Sequence, residues 1–396
     1  MLKGNKLAVY THDYVKQVLT AAHDGKYALP AINVSNLDTA IAAMNGLEQA
    51  GSPGFVQVSI GAAEQASPDG DPVKGSLILG RMLHELRNQY SVPIFIHTDH
   101  CHAQNVDKWL KPLLMELIRL EETTGERIFD SFMFDGSMVD IHENARVINE
   151  LVPLIKQIDG FIEVEAGGAW GGSEDGVEDK AKYSTPDDVR VIQQAMHDNE
   201  LNADDYLLAV AFGNAHGTAV VPDLKPGLLS EIRMETGEHN LFVFHGGSGS
   251  PDNDVRAAVR NGVVKMNVDT DTQYAFTKGV TDWLNAAPEV PVDDGYRAVD
   301  DDKKPVDRRV LELIGNNEEL IAFIASNYIR NANYGAVIDL FTAIQNAKHG
   351  ESVKAYASHK HGKKYFDPRH WNHAGRESMS KHVIQVAELL GSKDMA

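Results

Sequence analysis

Residues 241–269, LFVFHGGSGSPDNDVRAAVRNGVVKMNVD, contain the pattern that decides the fold. Apolar runs at 241–245 and 263–269 predict two buried strands. Between them, the Ser-Pro pair at 250–251 predicts a helix start with the serine as N-cap, and the Asn-Gly pair at 261–262 predicts the helix end. A strand, a helix and a second strand in this order are typical of a parallel sheet with crossover helices.

The same alternation runs through most of the chain. The predicted strands lie at 27–33, 55–59, 92–99, 129–135, 160–166, 206–213, 241–245 and 263–269. Thr185 before Pro186 marks a further helix start. Eight strands with crossover helices predict an α/β fold, a closed TIM (β/α)8 barrel. An open doubly wound sheet is less favoured, because no dinucleotide or phosphate-loop fingerprint follows the first strand.

The pattern changes after the eighth strand. We expect residues 1–285 to form the barrel and catalytic domain, and 286–361 to form a helical insertion packed on it. Residues 362–396 are expected to complete the same domain and to end in a terminal helix. The insertion is interpreted as extra packing or a subunit contact, with a substrate lid as the alternative.

Composition limits the range of functions. Asp and Glu number 57 against 37 Lys and Arg, a net charge of −20, which disfavours nucleic acid and anionic membranes as partners. No signal-peptide pattern opens the chain and no apolar run approaches the roughly 20 residues of a membrane span, so we expect a cytoplasmic location. The single cysteine, Cys101, excludes an internal disulfide, and we expect it to be a small buried side chain rather than a metal ligand.

Three histidines follow three different predicted strands. In such a barrel, polar residues at the carboxyl ends of strands point into the site, so His100, His216 and His245 are expected to converge. Three imidazoles that leave a fourth position open are typical of catalytic zinc, whereas structural zinc is usually enclosed by cysteines. Strand alternation should aim His97 differently from His100 and place it behind the ligands. His102 is expected at the surface or at a helix entry.

Loops after three strands carry the remaining chemistry. The glycines of 246–250 let backbone N–H groups approach a phosphate, and the following helix adds its positive N-terminal end. Residues 267–271 are expected to complete the wall of this phosphate site. The glycine-rich loop 167–179 holds Glu174, a candidate base that loop closure would shield from water.

The motifs HTDH, GGSEDGV, GNAHG, VFHGGSGS, VKMNVDTDT and KKYFDPR occur in an order that resembles the class II fructose-bisphosphate aldolases of the longer type. The resemblance spans residues 27–285 and resumes at about 362–390. It implies reversible aldol cleavage of fructose 1,6-bisphosphate to dihydroxyacetone phosphate and glyceraldehyde 3-phosphate, through a zinc-stabilised enediolate.

The resemblance also implies the roles of individual residues. Asp99 would exchange a proton with the aldehyde oxygen, and Glu174 would exchange the proton of dihydroxyacetone phosphate. The implied zinc ligands are His100, His216 and His245. The residues implied around the first phosphate and the ketone are Gly217, Gly246, Ser248, Asn267, Asp269 and Thr270.

Other implied roles concern the far end of the substrate and a second ion. Asn33 and Ser59 would line the far end, and Arg369 would bind the second phosphate across a subunit boundary, in a homodimer or homotetramer. Asp135 and Glu165 resemble positions that bind a second cation, divalent or monovalent.

The sequence departs from the resembled family in two loops. Relatives often have two consecutive glutamates where this chain has Ser173-Glu174, which puts a secondary cation contact in doubt. Some relatives carry a lysine soon after the third histidine, where this chain has 218–221, TAVV. The insertion at 286–361 also exceeds what the resemblance covers.

Four alternatives remain open. An aldolase for tagatose or sedoheptulose bisphosphate would share the same chemistry. A class I aldolase would need a desolvated Schiff-base lysine, and Lys265 is the only obvious strand lysine. A metal-dependent hydrolase would leave the loop glutamate unexplained, and a non-catalytic sugar-phosphate binding protein would have no use for Asp99 and Glu174.

Overall fold

The structure, a computed structural model, describes residues 10–166, 183–214, 223–237, 239–286 and 367–396. These residues belong to two compact units, Met1–Val280 together with Asn372–Ala396, and Thr281–Trp371. Most of the predicted insertion at 286–361 lies outside the described residues, so its role stays a prediction.

Eight parallel strands form a closed barrel, which confirms the predicted fold. Each strand pairs with the next along the chain, and β8 pairs with β1. The strands are β1 (Leu29–Asn33), β2 (Gly54–Val58), β3 (Ile94–His102), β4 (Ser131–Asp135), β5 (Phe161–Ala166), β6 (Tyr206–Val210), β7 (Leu241–Phe244) and β8 (Val263–Val268).

Helices precede, connect and follow the strands in the described parts of the chain. They are α1 (His12–Gly25), α2 (Leu37–Ala50), α3 (Ile60–Ala66), α4 (Pro72–Arg87), α5 (Lys111–Thr124), α6 (Ile141–Gln157), α7 (Pro186–Asp198), α8 (Gly227–Thr236), α9 (Asp252–Arg260), α10 (Thr270–Ala286) and α11 (Pro368–Leu390). Within the described ranges, none of them is both long and apolar enough to cross a membrane.

One predicted helix cap is confirmed and the other is wrong. The Thr185 hydroxyl accepts a hydrogen bond from the Asp188 N–H and caps α7. Ser250 does not cap α9, because Pro251 has an extended backbone (ψ 133°) and the helix starts one residue later. The Ser250 hydroxyl instead lies 3.4 Å from the Gly246 carbonyl.

The lower part of the barrel interior is apolar. Phe55, Phe95 and Phe161 lie near the starts of their strands and pack with Val15 and Leu19 of α1. Helix α1 also contacts β5, β7 and β8. It therefore closes the end of the barrel at which the strands begin.

A polar layer lies directly above these aromatic side chains. Gln57, His97 and Glu163 each follow a phenylalanine by two residues, so strand alternation places them on the same inner face. Lys265 of β8 joins them, and all four residues are fully buried. Buried polar groups cost free energy unless they are paired, so this layer has to be held by internal hydrogen bonds and ion pairs.

A buried ion pair links the end of α4 to the segment that precedes β4. The Arg87 guanidinium donates to the Asp130 carboxylate, and both side chains are about 4% exposed. The backbone N–H of Ile96 donates to the same carboxylate oxygen at 2.7 Å. Removal of one partner would leave the other charge buried without compensation.

We expect Arg87→Met to lower the free energy of unfolding by about 3–5 kcal/mol, the usual cost of breaking a buried pair. Urea denaturation at constant m-value measures this. Arg81→Met on the same helix is the matched control, because Arg81 pairs with Glu126 at 46% exposure and should change stability by at most about 1 kcal/mol. Equal effects of the two substitutions would contradict the prediction.

Candidate active site

Seven of the predicted site residues within the described ranges lie together at the carboxyl ends of the strands. These residues are connected by hydrogen bonds, by ring contacts or by membership of the same group of possible metal ligands. They are Asn33, Asp99, His100, Asp135, Glu165, His245 and Asn267. They come from β1, β3, β4, β5 and β8 and from the position directly after β7. Six are buried and His100 is partly buried.

An irregularity in β3 aims two consecutive side chains at this site. The register between β3 and β4 shifts after Thr98. Thr98 pairs with Phe132 and Cys101 pairs with Phe134, so β3 advances three residues while β4 advances two. His100 takes a positive φ of 37°, which a non-glycine residue adopts only where the surroundings hold it. This β-bulge lets His100 and the preceding Asp99 both face the site, which regular alternation would forbid.

Asp99 is held by two amides. Asn33 Nδ2 donates to Asp99 Oδ2 at 2.7 Å, and Asn267 Nδ2 lies 3.1 Å from Asp99 Oδ1. Gln57 in turn donates to Asn33 Oδ1 at 2.7 Å. Burial raises the pKa of Asp99, but His100 and the other nearby cations outweigh it and the net shift is downward. Asp99 is therefore a fixed, ionised carboxylate.

His100 lies among carboxyl groups. Its Nδ1 is 2.8 Å from Asp135 Oδ2, and its Nε2 is 4.0 Å from Asp99 Oδ1. Burial lowers the pKa of His100, yet the two carboxylates outweigh burial and raise it to about 10. A pocket that attracts a proton this strongly to an imidazole also favours a metal cation, which would displace that proton on binding.

Asp135 and Glu165 form an asymmetric carboxyl pair beside His100. Burial raises the pKa of Asp135, but hydrogen bonds with His100 and His102 outweigh it and bring the pKa well below its usual range. Burial and then the Asp135 charge raise the pKa of Glu165 well above its usual range. The pair therefore holds one negative charge next to His100.

Hydrogen bonds select the tautomer of His245. Its Nε2 is 2.8 Å from Glu163 Oε1, and its Nδ1 is 2.9 Å from Asn267 Nδ2. A carboxylate only accepts and an amide nitrogen only donates, so Nε2 carries the hydrogen and Nδ1 presents its lone pair. Burial and the positive charge of His100 lower the pKa of His245, which keeps the ring neutral, as a metal ligand has to be.

Two groups of side chains have the geometry of a metal site among the described residues. They are Asp99 with His100 and His245, and His100 with Asp135 and Glu165, and the ligand atoms within each group lie within 4.8 Å of one another. The ring centroids of His100 and His245 are 4.5 Å apart. Glu165 Oε2 is buried without a hydrogen-bond partner in the described part of the chain. This donor set fits a divalent cation such as zinc.

The loops after β7 and β8 meet, but part of the expected anion site is already occupied by protein groups. Gly249 N–H donates to Asp271 Oδ2 at 2.9 Å, and the Asp271 N–H donates to Ser248 Oγ at 3.2 Å. Gly247 N–H donates to the Asn267 carbonyl. Fewer backbone N–H groups of this loop are therefore available to bind a phosphate than the glycine pattern suggests.

A family model described as class II fructose-bisphosphate aldolase matches residues 13–395. The chain belongs to this family. Its members are lyases, so the predicted enzyme class is confirmed together with the family resemblance.

Aldolases of several bacteria are similar to the chain in sequence. The fructose-bisphosphate aldolase of Mycobacterium leprae is 38% identical over 291 residues, which cover 69% of this chain and 84% of that protein. The class 2 fructose-bisphosphate aldolase of Escherichia coli K12 is 33% identical over 303 residues, 71% of this chain and 83% of that protein.

Solved structures of aldolases share the fold. The fructose-bisphosphate aldolase of Campylobacter jejuni has a TM-score of 0.71 and 26% identity, and the match covers 98% of this chain and 96% of that chain. The YdjI aldolase of Escherichia coli K12 has a TM-score of 0.60 and 18% identity, over 96% of this chain and 98% of that chain. At 18% identity, the second likeness concerns the fold alone.

Some residues implied by the aldolase resemblance lie outside the described parts of the chain or in the second compact unit. Glu174, His216 and Gly217 lie outside the described residues. Arg369 lies in the unit Thr281–Trp371, is 81% exposed and pairs with Asp367. Its role at the second phosphate stays a prediction.

The remaining predicted residues of the aldolase site lie at strand ends and loops. Ser59 follows β2 and caps α3 through a hydrogen bond from the Ala62 N–H. Gly246 has a φ of 67°, a conformation that suits glycine at this turn. Asp269 and Thr270 lie where β8 passes into α10, and Thr270 is exposed.

Sequence reasoning missed or misplaced several side chains around the aldolase site. Gln57 was not predicted to contribute, although a glutamine inside an apolar strand is a detectable signal. Asp271 was expected in the wall of the phosphate site, but its carboxylate accepts a hydrogen bond from the Gly249 N–H of the glycine loop. His102 directly precedes a short 3-10 helix, Ala103–Asn105, as expected for a helix entry, and its Nδ1 also lies 3.0 Å from Asp135 Oδ2. His97 lies behind the site, with its Nδ1 2.7 Å from Ser131 Oγ. Burial and Lys265 lower the pKa of His97 to about 3.

Proposed function

We propose that the chain catalyses reversible aldol cleavage of fructose 1,6-bisphosphate to dihydroxyacetone phosphate and glyceraldehyde 3-phosphate. Family membership and the printed names of the relatives support this substrate. The observation that carries the proposal is a buried carboxylate, Asp99, next to two imidazoles suited to hold a metal. Carbon–carbon cleavage beside a ketone needs both a proton acceptor and an electrophile.

Asp99 is the proton acceptor in the cleavage direction. As an ionised carboxylate it takes the proton of the hydroxyl that becomes the aldehyde oxygen, and it returns this proton in condensation. The amides of Asn33 and Asn267 hold the carboxylate at 2.7 and 3.1 Å, so little reorganisation is needed. Glu174 is proposed to exchange the proton of dihydroxyacetone phosphate.

His100 and His245, together with His216, are proposed to hold Zn2+. The His245 ring is neutral, and a cation that bound its Nδ1 would replace the Asn267 amide there. This ring and the carboxyl groups around His100 support a divalent cation here. Bound zinc would polarise the ketone and stabilise the negative charge that develops on it. Asp135 and Glu165 are proposed to bind a second divalent or monovalent cation.

The proposal includes two features beyond the barrel site. Binding of the second phosphate by Arg369 of a neighbouring subunit would require a homodimer or homotetramer. Its 81% exposure leaves the guanidinium accessible to a ligand of another chain. The single, buried cysteine supports a reducing compartment and hence a cytoplasmic location.

Lys265 does not support a class I mechanism. Its ammonium lies 2.8 Å from Glu163 and 2.7 Å from Asn267 Oδ1, and the residue is fully buried. A Schiff-base lysine needs a neutral amine within reach of the substrate. An ammonium held by a buried carboxylate has lost that nucleophilicity.

Cleavage in a coupled triose-phosphate assay tests the proposed substrate. We expect fructose 1,6-bisphosphate to be cleaved with a kcat/KM of about 10⁴ M⁻¹s⁻¹ or more, the usual range for enzymes acting on their own substrate. Tagatose and sedoheptulose bisphosphates are the comparison substrates. A higher kcat/KM with either would move the assignment to that sugar, and no cleavage of any of the three would favour a binding protein.

A further inference from the structure

A buried lysine lies directly beneath the proposed reaction centre. Lys265 is in the middle of β8 and has no exposed surface. Asn267, two residues later on the same face of the strand, has its amide at the site. The ammonium therefore has one neighbour in the polar layer, Glu163, and one in the site, Asn267.

The ammonium determines which way the Asn267 amide points. An ammonium only donates hydrogen bonds, so the atom 2.7 Å from Lys265 Nζ has to be the amide oxygen. The NH2 group of Asn267 then points away from Lys265, toward Asp99 Oδ1 at 3.1 Å and His245 Nδ1 at 2.9 Å. This orientation follows from donor and acceptor chemistry, not from the assignment of amide atoms.

Glu163 explains why the charged ammonium of Lys265 is tolerated in the interior of the barrel. Its carboxylate is fully buried and lies 2.8 Å from the ammonium, so the two charges compensate each other. The same carboxylate faces His245 through its other oxygen. The charged pair thus provides a rigid support for the amide, whereas a flexible surface lysine would not.

We propose that Lys265 is a positioning residue that fixes the Asn267 carboxamide with its NH2 group toward the reaction centre. This inference rests on the proposed aldolase function and deepens it. Without the ammonium, the Asn267 oxygen loses its donor, and only the contacts of the NH2 group with Asp99 and His245 still orient the amide. The NH2 group would then be held less firmly for the oxygen atoms of the substrate, and the loss would appear mainly in kcat.

A double-mutant cycle tests whether Lys265 acts through Asn267. We expect Lys265→Met and Asn267→Ala each to lower kcat by about 10- to 100-fold, the usual effect of removing a group that orients a site residue. In the Asn267→Ala background, Lys265→Met should change kcat less than about two-fold, because residues that act as a unit are not additive. A double variant whose loss of kcat equals the product of the two single losses would overturn the proposal.

Two further measurements distinguish a positioning role of Lys265 from a loss of activity caused by unfolding or by loss of zinc. Each variant is assayed for bound zinc by mass spectrometry and for thermal stability, and zinc content should stay at the parent level. A kcat that falls in step with zinc content would overturn the proposal, because Lys265 would then act through Glu163 and His245. A parent protein without fructose-bisphosphate cleavage would instead refute the proposed function.

Lys265→Gln is a second variant that keeps the proposal testable if Lys265→Met does not fold. Its amide retains a hydrogen-bond donor without a charge, so partial rescue is expected, with a kcat between those of the parent and of Lys265→Met. If Lys265→Met is insoluble, the cycle with Asn267→Ala is run with Lys265→Gln. A Lys265→Gln variant with a lower kcat than a folded Lys265→Met variant would contradict the role of the donor.

Discussion

Incubation with EDTA is expected to lower fructose 1,6-bisphosphate cleavage by about 10³-fold or more, and added Zn2+ is expected to restore it. A metal that polarises the ketone contributes several kcal/mol to the transition state, and each 1.36 kcal/mol is a factor of ten in rate. His100 and His245 favour Zn2+ over Mg2+, because imidazole is a poor ligand for the harder ion. The coupled triose-phosphate assay measures both steps.

Substitution of single histidines links this loss to the described site. His245→Ala should bind less zinc than the parent, as measured by mass spectrometry, and lose activity to a similar extent. The matched control is His142→Ala, because the His142 side chain is exposed on α6 and belongs to neither group of possible metal ligands. Activity that resists EDTA, together with inactivation by borohydride in the presence of substrate, would refute the metal mechanism in favour of a Schiff base.

Asp99→Asn is expected to lower kcat by about 10²- to 10⁴-fold, the range attributed to a positioned general acid or base. Asparagine has nearly the shape of aspartate and can keep a contact with Asn33, but it cannot take the hydroxyl proton. KM should change less than kcat, because proton transfer belongs to the transition state. Steady-state kinetics on the zinc-loaded variant measures the separation.

Zinc content decides between two roles for this carboxylate. Asp99 lies in one of the possible ligand groups, so a loss of zinc in Asp99→Asn would mean that it binds the metal rather than the proton. Asp69→Asn is the control for the chemical change, because Asp69 is 56% exposed and pairs with Lys74. An Asp99→Asn variant that retains its zinc and more than about a tenth of the parent kcat would exclude the proton-transfer role.

The barrel was predictable because each strand combines an apolar run with a polar or small residue at its end. The strand limits were less predictable. β6 was predicted to reach residue 213 but ends at Val210, since Phe212 pairs with Tyr183 in an isolated antiparallel bridge instead. β3 extends beyond the predicted 99 to His102, because His102 still pairs with Asp135 after the bulge.

Which side chains converge was predictable, but how they contact each other was not. Parallel strands bring their carboxyl ends to one edge, so Asp99, His245 and Asn267 could be grouped from sequence alone. The bulge that turns His100 toward them has no sequence signal as clear as a glycine. The pair of Lys265 and Glu163 joins residues about 100 positions apart, and no local pattern indicates such a contact.

The polar layer above the aromatic side chains has a consequence for protein engineering. Natural proteins accept unfavourable burial where function requires it, and stabilising substitutions at such places usually cost activity. Apolar replacements of Gln57, His97, Glu163 and Lys265 would resemble ordinary barrel packing, yet they would remove the support of the site residues above them. Selection for thermostability should therefore accumulate substitutions on the outer helices and leave the centre of the barrel unchanged.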